Sequence, residues 1–297
     1  MLKRIYQQFG SLAQAWQARP ADWAAVDGIS LLGAEAIARA VAATDPDQLL
    51  ATHTEQNRQF WTPADPGYPR LLFEITDPPP VLYYRGIVAE TDALGVAPSV
   101  GIVGTRDPTE YGRRWTQRLT RNLTLNGFTI VSGLASGIDA VAHRTCLQER
   151  GRTIAVLGTG VDQVYPRSNQ PLYDQILQTG WVVSEYPDGT PPDRAHFPRR
   201  NRIIAGLSRA VLVTEGSARS GSMITARLAN DYGRDVYALP GSLDNPNAQG
   251  CLKLIHQGAQ IILGDTALLA NLSRIPDMDR TQPLLTSPST SRRPQQE

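Results

Sequence analysis

The chain has 297 residues, 41% of them hydrophobic and 19% charged, with a formal net charge of +1. That length suggests two domains and a core that hides about three quarters of the unfolded surface, and the apolar share with so low a net charge excludes disorder of the whole chain. No run approaches the ~20 apolar residues of a membrane helix, so membrane insertion is not expected.

The opening residues, Met1–Gln8, lack the apolar core of a secretory signal, and a cytoplasmic location is expected. The two cysteines, Cys146 and Cys251, have no CxxC partner, so neither a disulfide scaffold nor a cysteine-based zinc site is expected. Of the 29 basic residues, only Lys3 and Lys253 are lysine. Genome composition accounts for such a bias, but arginine also offers planar, forked contacts to phosphate and stacks on bases.

Residues 1–62 read as a small all-α domain. Short helices are predicted over Leu2–Phe9, Leu12–Ala18, Trp23–Val26, Gly33–Ala42 and Pro46–Leu50, separated by Gly and Pro. Within it, Val26–Ile37 resembles a helix-hairpin-helix, whose Gly-rich turn lets backbone N–H groups meet a phosphate. Ser30 stands where a second glycine would be expected, and a plain helical packing module is the preferred reading. Six prolines between residues 60 and 80 break helix and favour extended chain. Residues 63–95 therefore read as a connector and a leading strand region.

From residue 96 to 272 short apolar runs alternate with helical segments. The runs are Ser99–Val103, Phe128–Val131, Thr153–Leu157, Trp181–Val183, Ala210–Val213, Asp235–Ala238 and Gln260–Leu263. This is the pattern of βαβ units around a buried parallel sheet. The fold class is α/β: a Rossmann-like, mostly parallel sheet flanked by helices. This segment is also the basic one, with 18 bases against 14 acids. Between Arg194 and Arg209 lie five arginines, His196 and no acid, interleaved with Phe197, Asn201, Ile203 and Ile204. A solvated face needs no such interleaving, and a phosphate-binding patch becomes plausible. Residues 273–297, rich in Pro, Ser, Thr, Arg and Gln, are expected to be disordered.

Ligands of open parallel sheets sit beyond the carboxyl ends of the strands. The first such loop holds Gly104, Thr105 and Arg106, a tight turn with a hydroxyl and a guanidinium. It is not GxGxxG, and Val131 is followed by Ser132 and Gly133 where a dinucleotide's ribose would need a carboxylate, so no such cofactor is expected. In the second loop Asp139 and His143 share a helix face at i and i+4. They read as an acid/base or metal pair, or as a capping Asp that steadies a His. The second reading is preferred because no third ligand or nucleophile is apparent, and no metal is expected. The third loop offers Tyr165 and Arg167, either a ring and a charge for one nucleotide or a turn with a core Tyr. Later loops hold Phe197 to Gly206 and Ser220, Gly221 and Ser222, the last three opening a helix.

The ordered pieces GIVGTR, IVSGLASGIDAVAH, TIAVLGTGVDQVYP, FPRRNRIIAGLS, RSGSMITARLA and ALPGSLDNPNAQGCLKLI resemble the DNA processing protein A (DprA/Smf) family over residues 66–265. The N-terminal segment is similar to the sterile-alpha-motif-like or helix-hairpin-helix domain that many members carry. The resemblance implies a Rossmann-like fold that binds single-stranded DNA. It also implies a homodimer that shields incoming DNA and loads the recombinase RecA in natural transformation, with no enzymatic activity and no cofactor. Carried over by motif position, Arg106 would contact phosphate and Arg167 would be a basic DNA contact. Arg194 and Phe197 would supply a charge and a stacking ring. Arg199, Asn201 and Arg202 would line the same pocket, and Ser132, Gly133 and Ser220–Ser222 would add loop contacts. Thr105 replaces a more usual Ser, and no winged-helix domain is readable in residues 273–297.

The main rival reading is a Rossmann-like nucleoside-monophosphate phosphoribohydrolase. Aligning Gly221-Ser222 with its Gly-Thr puts Thr225 where that chemistry needs a Glu. A two-metal nuclease needs clustered carboxylates, whereas the loops offer Asp107, Asp139, Asp162 and Glu215 singly.

Overall fold

The apolar runs become neighbouring strands of one sheet in a computed structural model of the protein, which describes residues 1–57 and 59–275. The strands are β1 (Phe60–Trp61), β2 (Leu82–Gly86), β3 (Ser99–Gly104), β4 (Thr129–Ser132) and β5 (Thr153–Val156). After them come β6 (Trp181–Ser184), β7 (Ala210–Glu215), β8 (Asp235–Ala238) and β9 (Gln260–Ile261). Their spatial order is β1-β2-β6-β5-β4-β3-β7-β8-β9. All pairs from β6 to β9 are parallel, while β1 and β2 run antiparallel at one edge. The expected α/β class with a mostly parallel sheet is thus the observed one.

Both faces of the sheet are covered, which is why its strands read as unbroken apolar runs. Every residue of β3 to β7 except Gly104 is buried. Val100, Ile102, Ile130 and Leu212 pack with Leu119 and Leu123 of the helix Glu110–Leu125 and Leu268 of the helix Asp265–Leu272. Ala155 and Val182 pack with Leu172, Tyr173 and Ile176 of the helix Gln170–Thr179. Each buried Leu or Ile contributes roughly 1.5–3 kcal/mol. Among the described residues no helix is long and apolar enough to cross a membrane.

By Cα proximity the described chain forms two compact units, residues 1–57 and residues 59–275. The first unit has helices Leu2–Phe9, Leu12–Trp16, Pro20–Ala24, Leu31–Ala42 and Pro46–Gln56. Its small core is Ala15, Trp23 and Ala34, with the Phe9 ring 5.1 Å from that of Trp23. Ser30, the departure from the helix-hairpin-helix pattern, caps a helix: its Oγ accepts the Gly33 N–H at 3.1 Å. That N–H is then taken, which favours the packing role.

The helical domain was expected to extend to residue 62, yet Phe60 and Trp61 pair with Tyr83 and Leu82 in the sheet. Two residues carry no readable period, and a stacked contact of Trp61 with Tyr84, centroids 3.7 Å apart, holds them there. The helix Arg70–Glu74 lies within the proline-rich stretch. The tail expected to be disordered lies, beyond Ile275, outside the described residues.

The topology sets the site. The chain passes from β3 to β4 on one side, while β7 lies on the other, so the loops after β3 and β7 diverge and leave a crevice at their carboxyl ends. The loop after β4 folds over the β3 loop, with Ile138 N–H donating to Thr105 O at 3.1 Å. Gly137 makes this approach possible. It has φ +78°, and a Cβ there would lie 2.4 Å from Thr105 O and 2.5 Å from Arg106 O. Gly137→Ala is expected to destabilise the protein by at least about 2 kcal/mol, a fall in Tm of about 4–8 °C. A thermal melt within ~1 °C of wild type would show that the two loops are not locked together.

Candidate nucleic-acid interface

The crevice is a cavity of about 650 Å³. The β3 loop contributes Gly104, Thr105 and Arg106. Residues around the start of the helix Ser222–Asp231 contribute Ser220, Gly221 and Ser222. The helix His196–Gly206 and the residues before it contribute Arg194, Phe197 and Asn201. Arg106 Cζ stands 5.9 Å from the centre of the Phe197 ring, so a cation and an aromatic face meet in one place. Gly133 lines a smaller recess of about 70 Å³ bounded also by Arg106, Phe197 and Arg200.

Four more residues expected at the site line neither the crevice nor this recess. Ser132 is fully buried, its Oγ donating to Ile102 O at 2.6 Å. Arg167 is exposed and opens a 3₁₀ turn. Arg199 Nε lies 3.4 Å from Glu185. Arg202 is buried and paired, its two terminal nitrogens donating to Glu185 at 2.7 and 2.8 Å and its Nε lying 3.1 Å from Asp77. Helical phase explains the difference. Phe197, Arg200, Asn201 and Ile204 are spaced by three or four residues and share the face that lines the cavity. Arg199 and Arg202 fall on the opposite side of that helix.

The same phase brings in Arg200, a cavity residue that the motif contained but the site reading omitted. Its Nη1 donates to Gly133 O at 2.6 Å and to Val156 O. Burial lowers its pKa to about 10, the nearby Asp139 opposing and Arg106 adding to the fall, so it stays cationic at neutral pH. Asp139 also lines the cavity, and its Oδ2 accepts N–H groups of Gly133 (3.1 Å) and Ala135 (3.4 Å). Burial pushes its carboxyl above the usual range, against the pull of Arg200 and those N–H groups. Asp139 thus braces its own loop and does not hold His143. That imidazole pairs through Nδ1 with Thr153 Oγ1 at 2.7 Å.

Tyr165, read as either a core or a ligand-facing ring, is 44% exposed and sits at the cavity. The hydroxyl-bearing Thr225 lines the cavity where the hydrolase reading requires a carboxylate. Glu215 is only 2% exposed and points into the fold, accepting Thr109 N–H at 2.8 Å, Thr109 Oγ1–H at 2.7 Å and Asn245 Nδ2–H at 3.1 Å. Among the described residues no three His, Cys, Asp or Glu side chains are grouped to hold a metal.

Residues 59–273 match the family described as DNA recombination-mediator protein A. The chain is 53% identical over 282 residues to Protein Smf of Synechocystis sp., covering 95% of this chain and 71% of that protein. It is 44% identical over 215 residues to DNA processing protein DprA of Bacillus subtilis, covering 72% of this chain and 71% of that one. The X-ray structure of DNA processing protein A from Streptococcus pneumoniae aligns with a TM-score of 0.77 at 37% identity, over 91% of each chain. A solved structure of DNA processing protein A from Helicobacter pylori, described by its single-stranded DNA binding mode, aligns with a TM-score of 0.65 at 33% identity, over 73% of this chain and 96% of that one.

The floor of the site carries a pH dependence. Thr153 Oγ1 donates to Ile130 O at 2.7 Å, so it must accept from His143 Nδ1–H. Burial, with the charges of Arg200 and Arg144, lowers the His143 pKa from 6.5 to about 3. The folded state therefore binds fewer protons than the unfolded chain between those values, and stability falls as pH drops through that window. The loss between pH 7 and pH 5 is about 2 kcal/mol. Urea titrations at both values are expected to show a pH dependence smaller by about that amount in His143→Gln. Equal dependence in both proteins would show that His143 does not set it.

Proposed function

The chain belongs to the DNA recombination-mediator protein A family, also called DprA/Smf, and on that premise we propose that its crevice binds single-stranded DNA. The observation that carries this reading is Arg106 set over the Phe197 ring in one cavity. A phosphate meets Arg106 and the Ser220 and Ser222 hydroxyls at the start of a helix. The adjoining base leans on the aromatic surface, a contact that tolerates any sequence. Phe197 is half-buried at the cavity wall, so a base still paired inside a duplex does not reach it.

In this reading the protein acts in the cytoplasm as a homodimer, shields incoming DNA and loads RecA onto it in natural transformation. It performs no chemical step of its own. Arg106, Arg194 and Arg200 line the cavity and supply its positive field, while Arg199 and Arg202 act through Glu185 and Asp77 to hold the helix.

Fluorescence anisotropy with a labelled single-stranded oligonucleotide, its duplex and two salt concentrations tests this. Tight, salt-sensitive binding to the single strand and weak binding to the duplex are expected. Arg106→Ala is expected to weaken binding about 10-fold or more and to reduce the log–log salt slope by about 0.7, the value for one phosphate. Phe197→Ala is expected to cost about 1–3 kcal/mol with the slope unchanged. RecA assembly on the bound strand is expected to accelerate. Equal affinity for both DNA forms, or variants that bind like wild type, would overturn the reading. Absence of any DNA binding would turn attention to nucleoside monophosphates.

A further inference from the structure

Tyr165 brings a second ring to the crevice. It follows β5 in the third loop and lies at the meeting point of the large cavity and the small recess. Its ring centre is 5.4 Å from that of Phe197, with the planes inclined by 36°. At 44% exposure it presents more surface than Phe197. Four other tyrosines spend their hydroxyls on partners, Tyr68 on Pro79 O, Tyr173 on Val161 O, Tyr111 on Pro240 O and Tyr232 on Asp77, whereas the Tyr186 hydroxyl is buried without one. The Tyr165 hydroxyl makes no hydrogen bond among the described residues. Its one ring contact among the described residues is with Phe197, which leaves the hydroxyl free and a face open at the cavity mouth.

The spacing of the two rings decides what they can hold. Stacked bases lie about 3.4 Å apart, so a base sandwiched between two rings needs them about 7 Å apart. At 5.4 Å and inclined, Tyr165 and Phe197 touch each other and admit nothing between them. Arg106 also stands over the Phe197 ring, so the open aromatic face of the pair belongs largely to Tyr165. The geometry points to a stepped shelf: we propose that Tyr165 is a base-stacking residue that extends the Phe197 surface, so that two consecutive bases are held one-sidedly. This rests on the single-stranded DNA reading and adds a residue and a site size to it.

The test is anisotropy with a homopolymer oligonucleotide and with the same strand made abasic, on the full chain. Tyr165→Ala is expected to weaken binding to the normal strand about 5- to 150-fold, the range of one lost stacked base. Tyr165→Phe should retain wild-type affinity, because the face and not the hydroxyl is used. The salt slope should stay unchanged in both, since no phosphate contact is lost. On the abasic strand Tyr165→Ala and wild type should bind alike, an outcome that a merely structural role would not produce. If wild type binds the strand and Tyr165→Ala binds equally well, or loses as much on the abasic strand, the shelf is overturned while the DNA reading stands. If wild type binds no single strand, both fall together.

Discussion

Arg200 sits under the crevice with 5% exposure, and a guanidinium taken that far from water costs several kcal/mol unless it is fully hydrogen-bonded. The carbonyl ends of a parallel sheet answer part of that need, because Gly133 O beyond β4 and Val156 O of β5 both accept from Nη1, while Nε is buried without a hydrogen-bond partner among the described residues. Much of the site follows from it. Position 133 must lack a side chain, since a Cβ would lie 2.6 Å from the guanidinium nitrogens. Asp139 takes the Gly133 N–H while Arg200 takes its carbonyl, so the two peptide groups flanking that residue are both held. The same cation adds its field to the burial that keeps His143 neutral, and adds positive potential to the cavity.

A second clamp shapes the other wall. Glu215 ends β7, yet its carboxylate turns away from the crevice to cap the helix Glu110–Leu125 through Thr109. Asn245 reaches it from the loop after β8, and Asn247 O accepts the Gly216 N–H at 2.7 Å. Three loops are thereby tied at the point where the strand order reverses. The carboxylate that looked available for chemistry in the chain is spent on this junction. Asp162 is likewise engaged, accepting the Gly189 N–H at 2.8 Å. Asp139 is the carboxylate that lines the cavity, and it braces the loop beneath it. The crevice thus presents cations, hydroxyls and rings, a set suited to holding an anionic, base-bearing strand.

The strands were legible because parallel strands covered on both faces need unbroken apolar runs, and such runs are local. The antiparallel edge was not. Phe60 and Trp61 are two residues whose pairing depends on Tyr83 and Leu82, more than twenty positions away. The arginine-rich segment was legible as a basic patch but not as three kinds of arginine. Arg194 lines the cavity, Arg200 braces its floor and Arg202 is paired below the helix, with Glu185 17 positions away and Asp77 125 away. Helical phase from Phe197 would have separated Arg200 from Arg199 and Arg202 in the sequence itself.

By itself the sequence determined the α/β class, the central strands and the loops in which Gly, Ser, Thr and Arg gather at strand ends. It also carried the motifs by which the family is recognised, including the residues Arg106 and Phe197. All of these rest on spacing within a few residues. Only the tertiary structure decided which guanidinium faces the crevice, which carboxylates are consumed as caps, and that Tyr165 stands beside Phe197. Those outcomes depend on partners supplied by distant strands and loops. A buried charge or an open ring takes its role from what surrounds it, and no local pattern records that.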